Sequence, residues 1–329
     1  MTNSPASAAV VGDARQHGAA LLMAMLTVAL VTTLAAGALW HQWRSVEIES
    51  SERTRVQAGW ILSGALDWAR LILREDARTG GIDHLGEPWN VALSESRLSS
   101  FLAIDRNNTD LATDAYLSGH MTDAQSRMNV MNLVAANQLS EPDVKAFVRL
   151  FESLGLEPAE LENMAARLRA ALDTSADAPP GPATALLPRR VAQLRWLGLS
   201  ASSLVRLAPH ITVLPARTPL NLNTAGAEVI AASIPGLDLA GARQMLSARE
   251  RTPFRTIADA SKLLPAGSEA LNPAQFSVAT RFFNVYGRLR MEQAVVEEQS
   301  LVQRNGLDVR TLWRERAALG PALAVEVPR

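Results

Sequence analysis

Residues Ala19 to Trp40 read AALLMAMLTVALVTTLAAGALW, 22 residues without a charged side chain. As an α-helix they would rise about 1.5 Å each, about 33 Å in all, which matches the hydrocarbon core of a bilayer. A helix that is apolar on every side suits lipid; on a folded domain one face would be polar. This stretch therefore predicts a membrane-spanning helix.

On its N-terminal side lies a polar leader, residues 1–18, MTNSPASAAVVGDARQHG. A cleaved secretory signal has an apolar region of about 7–15 residues followed by a small-residue cleavage site. Here the apolar region is too long, and no such site precedes His41. Arg15, offset by Asp13, gives a thin positive-inside bias that leaves the leader in the cytoplasm and the bulk of the chain across the membrane. On the C-terminal side, residues 41–78 contain no proline. Val46, Val56, Trp60, Leu62, Leu66, Ala69, Leu71 and Leu73 keep an apolar stripe among Glu, Arg and Ser, which predicts that the helix continues amphipathically until Gly80-Gly81 stops it.

The whole chain has 329 residues, 32 Lys+Arg against 33 Asp+Glu, and a net charge of −1. Such a balance gives no general attraction to nucleic acid or anionic surfaces. Hydrophobic residues at 48% and charged residues at 20% supply a core for one large or two modest domains. Cysteine is absent, so disulfides, thiol nucleophiles and Cys-type zinc sites are excluded together.

Past the helix, residues 85–118 read as loops with brief strands, such as Trp89–Leu93. From Met121 to Leu172 the reading is helical. Thr122 precedes a polar first turn, and Val144, Phe147, Val148, Phe151 and Leu154 recur at three- and four-residue spacing. Gly155 ends one helix and Pro158 opens the next, with Leu161, Met164, Leu168 and Leu172. Residues 173–190 hold four prolines and read as a surface loop. Helical signals resume at Val191 and run to about Leu271. Gln275–Arg290, Ala294–Arg304 and Leu307–Arg316 then alternate as strands, with Asn305-Gly306 as a hairpin signal. A helical block lying between strands predicts an insertion in a small α+β head. The expected segments are a leader (1–18), a span (19–40), its extension (41–79), a first part of the head (80–118), the insert (119–274), C-terminal strands (275–318) and a tail (319–329).

Two segments of the insert look alike. SRMNVMNLVAANQL (126–139) and TPLNLNTAGAEVI (218–230) each place apolar residues between two asparagines, Asn129 with Asn132 and Asn221 with Asn223, and then begin a helix. Asparagine at such a boundary accepts hydrogen bonds from orphan N–H groups, so paired caps are expected. The second segment also resembles a helix-hairpin-helix module, which in DNA-binding proteins presents a glycine-rich turn to phosphate. Here the turn is Pro235-Gly236-Leu237-Asp238-Leu239, which puts a carboxylate at its second glycine position. Residues 219–281 hold six basic and five acidic side chains, too little charge for phosphate-dominated binding. No nucleic-acid partner is expected, although a membrane-anchored, competence-type DNA receptor stands as the rival reading.

Catalytic motifs are not found. His17, His41, His84, His120 and His210 form neither H-x-x-x-H nor H-E-x-x-H, and there is no phosphate loop and no G-x-S-x-G elbow, so no enzyme is expected. Asp105, Asn107, Asn108, Asp110 and Asp114 in DRNNTDLATD offer oxygens of the type calcium prefers. They lack the glycine and final glutamate of an EF-hand, and a solvated turn reads the same way.

The short polar leader, Gly18 and the uninterrupted apolar helix resemble the class III signal of type IV pilin-like proteins. That resemblance implies cleavage by a prepilin peptidase between Gly18 and Ala19, and methylation of Ala19. Most pilins carry a glutamate at the fifth mature position, which here is Met23. Lack of that glutamate, together with the large insert, resembles the protein K family of type II secretion, a minor pseudopilin. Asp123, Arg127, Asn129, Asn132 and Leu133 match one family phrase approximately; Asn221, Asn223, Thr224 and Ala225 match a second directly. The resemblance implies an α+β fold: a long pilin-like N-terminal helix and a small antiparallel sheet, with a large inserted all-α domain that contains the helix-hairpin-helix, SAM-like module. It further implies a single-pass inner-membrane subunit with its head in the periplasm. Its place is a pseudopilus tip beside other minor pseudopilins, where it primes assembly and supports export of folded proteins. Family members include calcium binders, so calcium, held by Asp105, Asn107, Asp110 and Asp114, is the one cofactor expectation. A type IV pilus minor subunit would share the leader and the span.

Overall fold

The computed structural model describes residues 14–98, 115–173, 186–265, 267–291 and 294–319. The chain divides into two units, residues 1–59 and 60–329. Helix α1 (Ala14–Thr79) supplies the described part of the first and opens the second. From Ala19 to Trp40 its side chains are exposed all round, Leu22 to 69% and Leu26 to 67%. Among the described residues it is the one helix long and apolar enough to cross a membrane.

In the second unit the same helix becomes two-faced. Leu62, Leu66, Ala69 and Leu73, spaced four, three and four apart, are buried. Leu66, Ala69 and Leu73 pack with Trp89, Met121, Phe283, Val285, Val302 and Val309, and the Trp89 ring meets Phe283 edge-on at 5.2 Å. Trp60, Trp68 and Leu71 stay exposed. Gly80 ends the helix with its N–H on the Asp76 carbonyl, 3.0 Å away.

Strands β1 (Leu93–Arg97) and β2 (Ala115–Asp123) follow. The helix expected from Met121 is therefore a strand end. β2 alternates buried Ala115, Leu117, Met121 and Asp123 with more open neighbours, a period of two that Gly119-His120 hides in the sequence. The sheet thus reaches Asp123, past the boundary expected at 118. Two 3₁₀ turns come next (Ala124–Ser126, Val130–Leu133), together with the short strands β3 (Met128–Asn129), β4 (Val134–Ala135) and β5 (Gln138–Leu139). Within the insert, regular α-helix begins with α2 (Glu141–Ser153) and α3 (Pro158–Leu172), joined through Gly155 at φ +59°.

A 3₁₀ stretch (Val191–Leu197), α4 (Ala201–Leu207), β6 (Ile211–Thr212) and β7 (Leu220–Asn221) lead to α5 (Ala227–Ser233), α6 (Leu239–Arg251), α7 (Ile257–Ser261) and β8 (Phe276–Ser277). The insert is thus mainly helical, with β3–β6 and β7–β8 as parallel pairs and β4–β5 as an antiparallel one. Phe147, Leu150, Met164, Leu168, Leu194, Ile230 and Met245 lie in one continuous core.

Strands β9 (Phe282–Met291), β10 (Ala294–Asn305) and β11 (Asp308–Leu319) complete the antiparallel sheet, ordered β1-β2-β9-β10-β11. Asn305 pairs with Asp308, so the hairpin turns on Gly306-Leu307, with Gly306 at φ +58°. β2 and β9 are neighbours, and Asp123 faces Phe283 in register. The whole insert therefore leaves and re-enters the sheet at one place.

Candidate functional site: an exposed anchor helix and a polar seam

Where a chain leaves a sheet for 158 residues and returns beside itself, backbone groups lose their ladder partners and need others. Side chains supply them here. Asp123, 3% exposed, takes the Gln125 N–H on Oδ1 at 2.7 Å. On Oδ2 it takes the Thr224 hydroxyl at 2.6 Å and Asn221 Nδ2 at 2.9 Å. Gln125 donates to the Pro219 carbonyl and accepts the Arg281 N–H.

All four asparagines singled out by sequence meet in this region. Asn129 accepts the N–H groups of Met131 and Leu214 and donates to the Ala216 carbonyl and the Thr218 hydroxyl, which uses its full capacity. Asn132 takes the Thr218 N–H at 3.0 Å and gives to the Thr218 carbonyl at 2.8 Å, as a neighbouring strand would. Asn223 treats Phe254 the same way, at 2.9 Å in both directions. Asn221 accepts the Asn223 N–H and donates to the Asp83 carbonyl as well as to Asp123. Only part of the expected capping holds. Asn129 caps a 3₁₀ turn, whereas the N-caps of α2 and α5 are Ser140 and Gly226; the asparagines mainly bridge segments far apart in sequence. Leu133 is fully buried, and Arg127 lies half-buried with its charge acting on His210 and Tyr286.

Two arginines in this region carried no sequence signal. Arg249 donates to the carbonyls of Leu222 and Ala225 at 2.6 and 2.7 Å, which fixes the turn holding Thr224. Burial lowers its pKa to about 10, against the opposing effect of the Glu250 charge. Arg304 binds Asp76 at 2.6 Å, Asp83, and the Thr280 carbonyl, and it stacks over Phe283. Burial opposes its charge, but the two carboxylates outweigh that and raise its pKa. Asp76, Asp83 and Glu87 bring carboxylate oxygens within 4.8 Å of one another. Arg304 already binds two of them, and Glu87 holds the His84 N–H and Trp89 Nε1. Asp105, Asn107, Asn108, Asp110 and Asp114 lie outside the described residues.

The helix-hairpin-helix expectation can be read directly from α5, α6 and the turn between them. Gly236 adopts φ +73°, and Asp238 caps α6 by accepting the Gly241 N–H at 2.7 Å. A backbone amide that could face phosphate is already bound to a carboxylate of the same helix. Beside α1 lies an apolar cleft of about 420 Å³ lined by Leu62, Leu66, Ile72, Met121 and Val285, where Gly119 pairs with Gly287. Gly18 and Ala19 both fall inside α1.

A lipid-compatible helix that runs on into a small antiparallel sheet is the build of a membrane-anchored, pilin-like subunit. Two models of the family described as type II secretion system protein K match residues 126–216 and 220–279. The type II secretion system protein K of Pseudomonas aeruginosa is 29% identical over 321 residues, spanning 91% of this chain and 89% of that protein. That of Klebsiella pneumoniae is 28% identical over 323 residues, 89% and 94% of the two chains. A chain of the crystal structure of the GspK-GspI-GspJ complex from the enterotoxigenic Escherichia coli type 2 secretion system is 18% identical. It superposes with a TM-score of 0.64 over 81% of this chain and 98% of that one. The chain is thus similar over about nine-tenths of its length to type II secretion system protein K, and these likenesses support a minor pseudopilin of type II secretion.

Proposed function

We propose that this chain caps the pseudopilus tip, where it primes assembly and so supports export of folded proteins across the outer membrane. The supporting observation is α1, with a fully exposed apolar span at one end and a stripe buried against the sheet at the other. Such a span packs in lipid before assembly and against other subunits' helices after it. The role is one of assembly, not catalysis. Prepilin peptidase cuts between Gly18 and Ala19, Ala19 is methylated, and the head stands in the periplasm. Met23 in place of the usual glutamate suits a subunit with nothing above it, because a carboxylate in lipid costs several kcal/mol unless paired.

Two other minor pseudopilins, of the kind found with GspK in the superposed complex, are the partners. Trp60, Trp68 and Leu71 on the open side of α1 offer them an apolar surface. Calcium held by Asp105, Asn107, Asp110 and Asp114 remains part of this reading, and chelation then lowers the melting temperature. Asp238 capping α6 speaks against the DNA-receptor alternative, and co-purification with secretion rather than pilus components separates this reading from a type IV pilus subunit.

Intact mass of the membrane-extracted protein tests the reading. The wild-type chain is expected to begin at a methylated Ala19, and Gly18→Ala to retain its leader. Normal processing of Gly18→Ala, or a mature chain beginning at Met1, would refute it.

A further inference from the structure

The seam joins the sheet to the insert through Asp123, a buried carboxylate with no cation bonded to it among the described residues. Its hydrogen-bond partners, Gln125 N–H, Asn221 Nδ2 and the Thr224 hydroxyl, are all neutral donors, and the Thr280 side chain faces it as well. Charged groups approach from several elements, but each is engaged elsewhere or stands clear. From the segment after α1, Asp83 is held by Arg304 and the Thr280 N–H, and His84 acts on Asp76. From the residue just before β9, Arg281 lies over the Phe282 ring. From α6, Arg249 binds the carbonyls of Leu222 and Ala225. From the segment after β2, Arg127 acts on His210 and Tyr286. None of these forms an ion pair with Asp123 among the described residues.

We propose that Asp123 is a proton-binding site that locks the insert to the sheet: the seam takes up one proton between neutral and weakly acidic conditions, and is held more tightly when it does. The hydrogen-bond geometry accommodates that proton without moving the backbone. Thr224 Oγ1 lies 2.6 Å from Asp123 Oδ2 and 3.4 Å from the Asn221 carbonyl. In the charged state the hydroxyl donates to the carboxylate. Once Oδ2 carries a proton, it donates to Thr224 Oγ1, and the threonine proton turns to the Asn221 carbonyl. Asn221 Nδ2 and the Gln125 N–H keep oxygen acceptors throughout.

Burial is the dominant influence on this group and raises its pKa from 3.8 to about 6 against the lowering effect of the four donors. A carboxyl whose folded pKa lies above its unfolded value weakens the fold when charged, so stability rises as pH falls through about 6 and levels off near 3.8.

The test is urea unfolding of the full chain in detergent, wild type against Asp123→Asn, whose amide mimics the protonated acid. Between about pH 7.5 and about pH 4.5 the wild-type unfolding constant is expected to fall about 25-fold relative to that of the variant. Equal pH dependence in the two proteins would overturn the proposal. If Asp123→Asn does not fold, the wild-type Gln125 amide proton decides the matter, because it bonds Asp123 directly. In ¹⁵N-glutamine-labelled protein its resonance should titrate with a midpoint near 6. A midpoint in the ordinary carboxylate range would overturn the proposal.

Discussion

Arg304 and Asp123 both meet Thr280, yet their charges are handled in opposite ways. Arg304 is neutralised by Asp76 and Asp83 and stacked on Phe283, whereas Asp123 receives neutral donors alone among the described residues. The first arrangement binds α1, the segment after it and β10 with charge-assisted bonds, which are strong but intolerant of losing a partner. The second binds the insert with weaker bonds and leaves one charge to be removed by a proton. Rigidity belongs to the clamp, and responsiveness to the node.

The sharpest way to break this contrast is Arg304→Met. It strands two buried carboxylates and is expected to cost about 3–5 kcal/mol in urea unfolding; a loss near that of a surface pair would erase the distinction. Asn221→Leu removes donors from both Asp123 and the Asp83 carbonyl and should cost about 2–3 kcal/mol. Because the charged acid loses more than the neutral one, it should also steepen the gain in stability on acidification; a flatter profile would contradict the node. Asn132→Ala, which touches neither charge, should cost about 1–2 kcal/mol with the wild-type pH profile intact. Lys145→Ala breaks only an exposed pair with Glu141, and its unfolding midpoint should match wild type.

How much of this was legible beforehand follows from how local each signal is. The span announced itself because 22 uncharged residues need no partner to be interpreted. Gly155, Pro158 and the strands around Asn305-Gly306 were equally local. β2 was misread at Met121 and Thr122 because Gly119-His120 interrupts its alternation, and a strand gains its identity from neighbours, here Asn284 and Val285. The asparagines were found by their repetition, but their role was not, since Asn132 serves Thr218 and Asn223 serves Phe254. Arg304 was invisible. Its two carboxylate partners lie more than 200 residues away, by separations of 228 and 221, and no spacing rule reaches that far.

The register of Asp123 against Phe283 has a further consequence. Exit and re-entry at adjacent strands make the helical block a cassette: a tight turn in its place would leave the order of every strand unchanged. A lineage can therefore gain or shed such a module without rethreading its scaffold, and the buried polar stitches are what closes the graft.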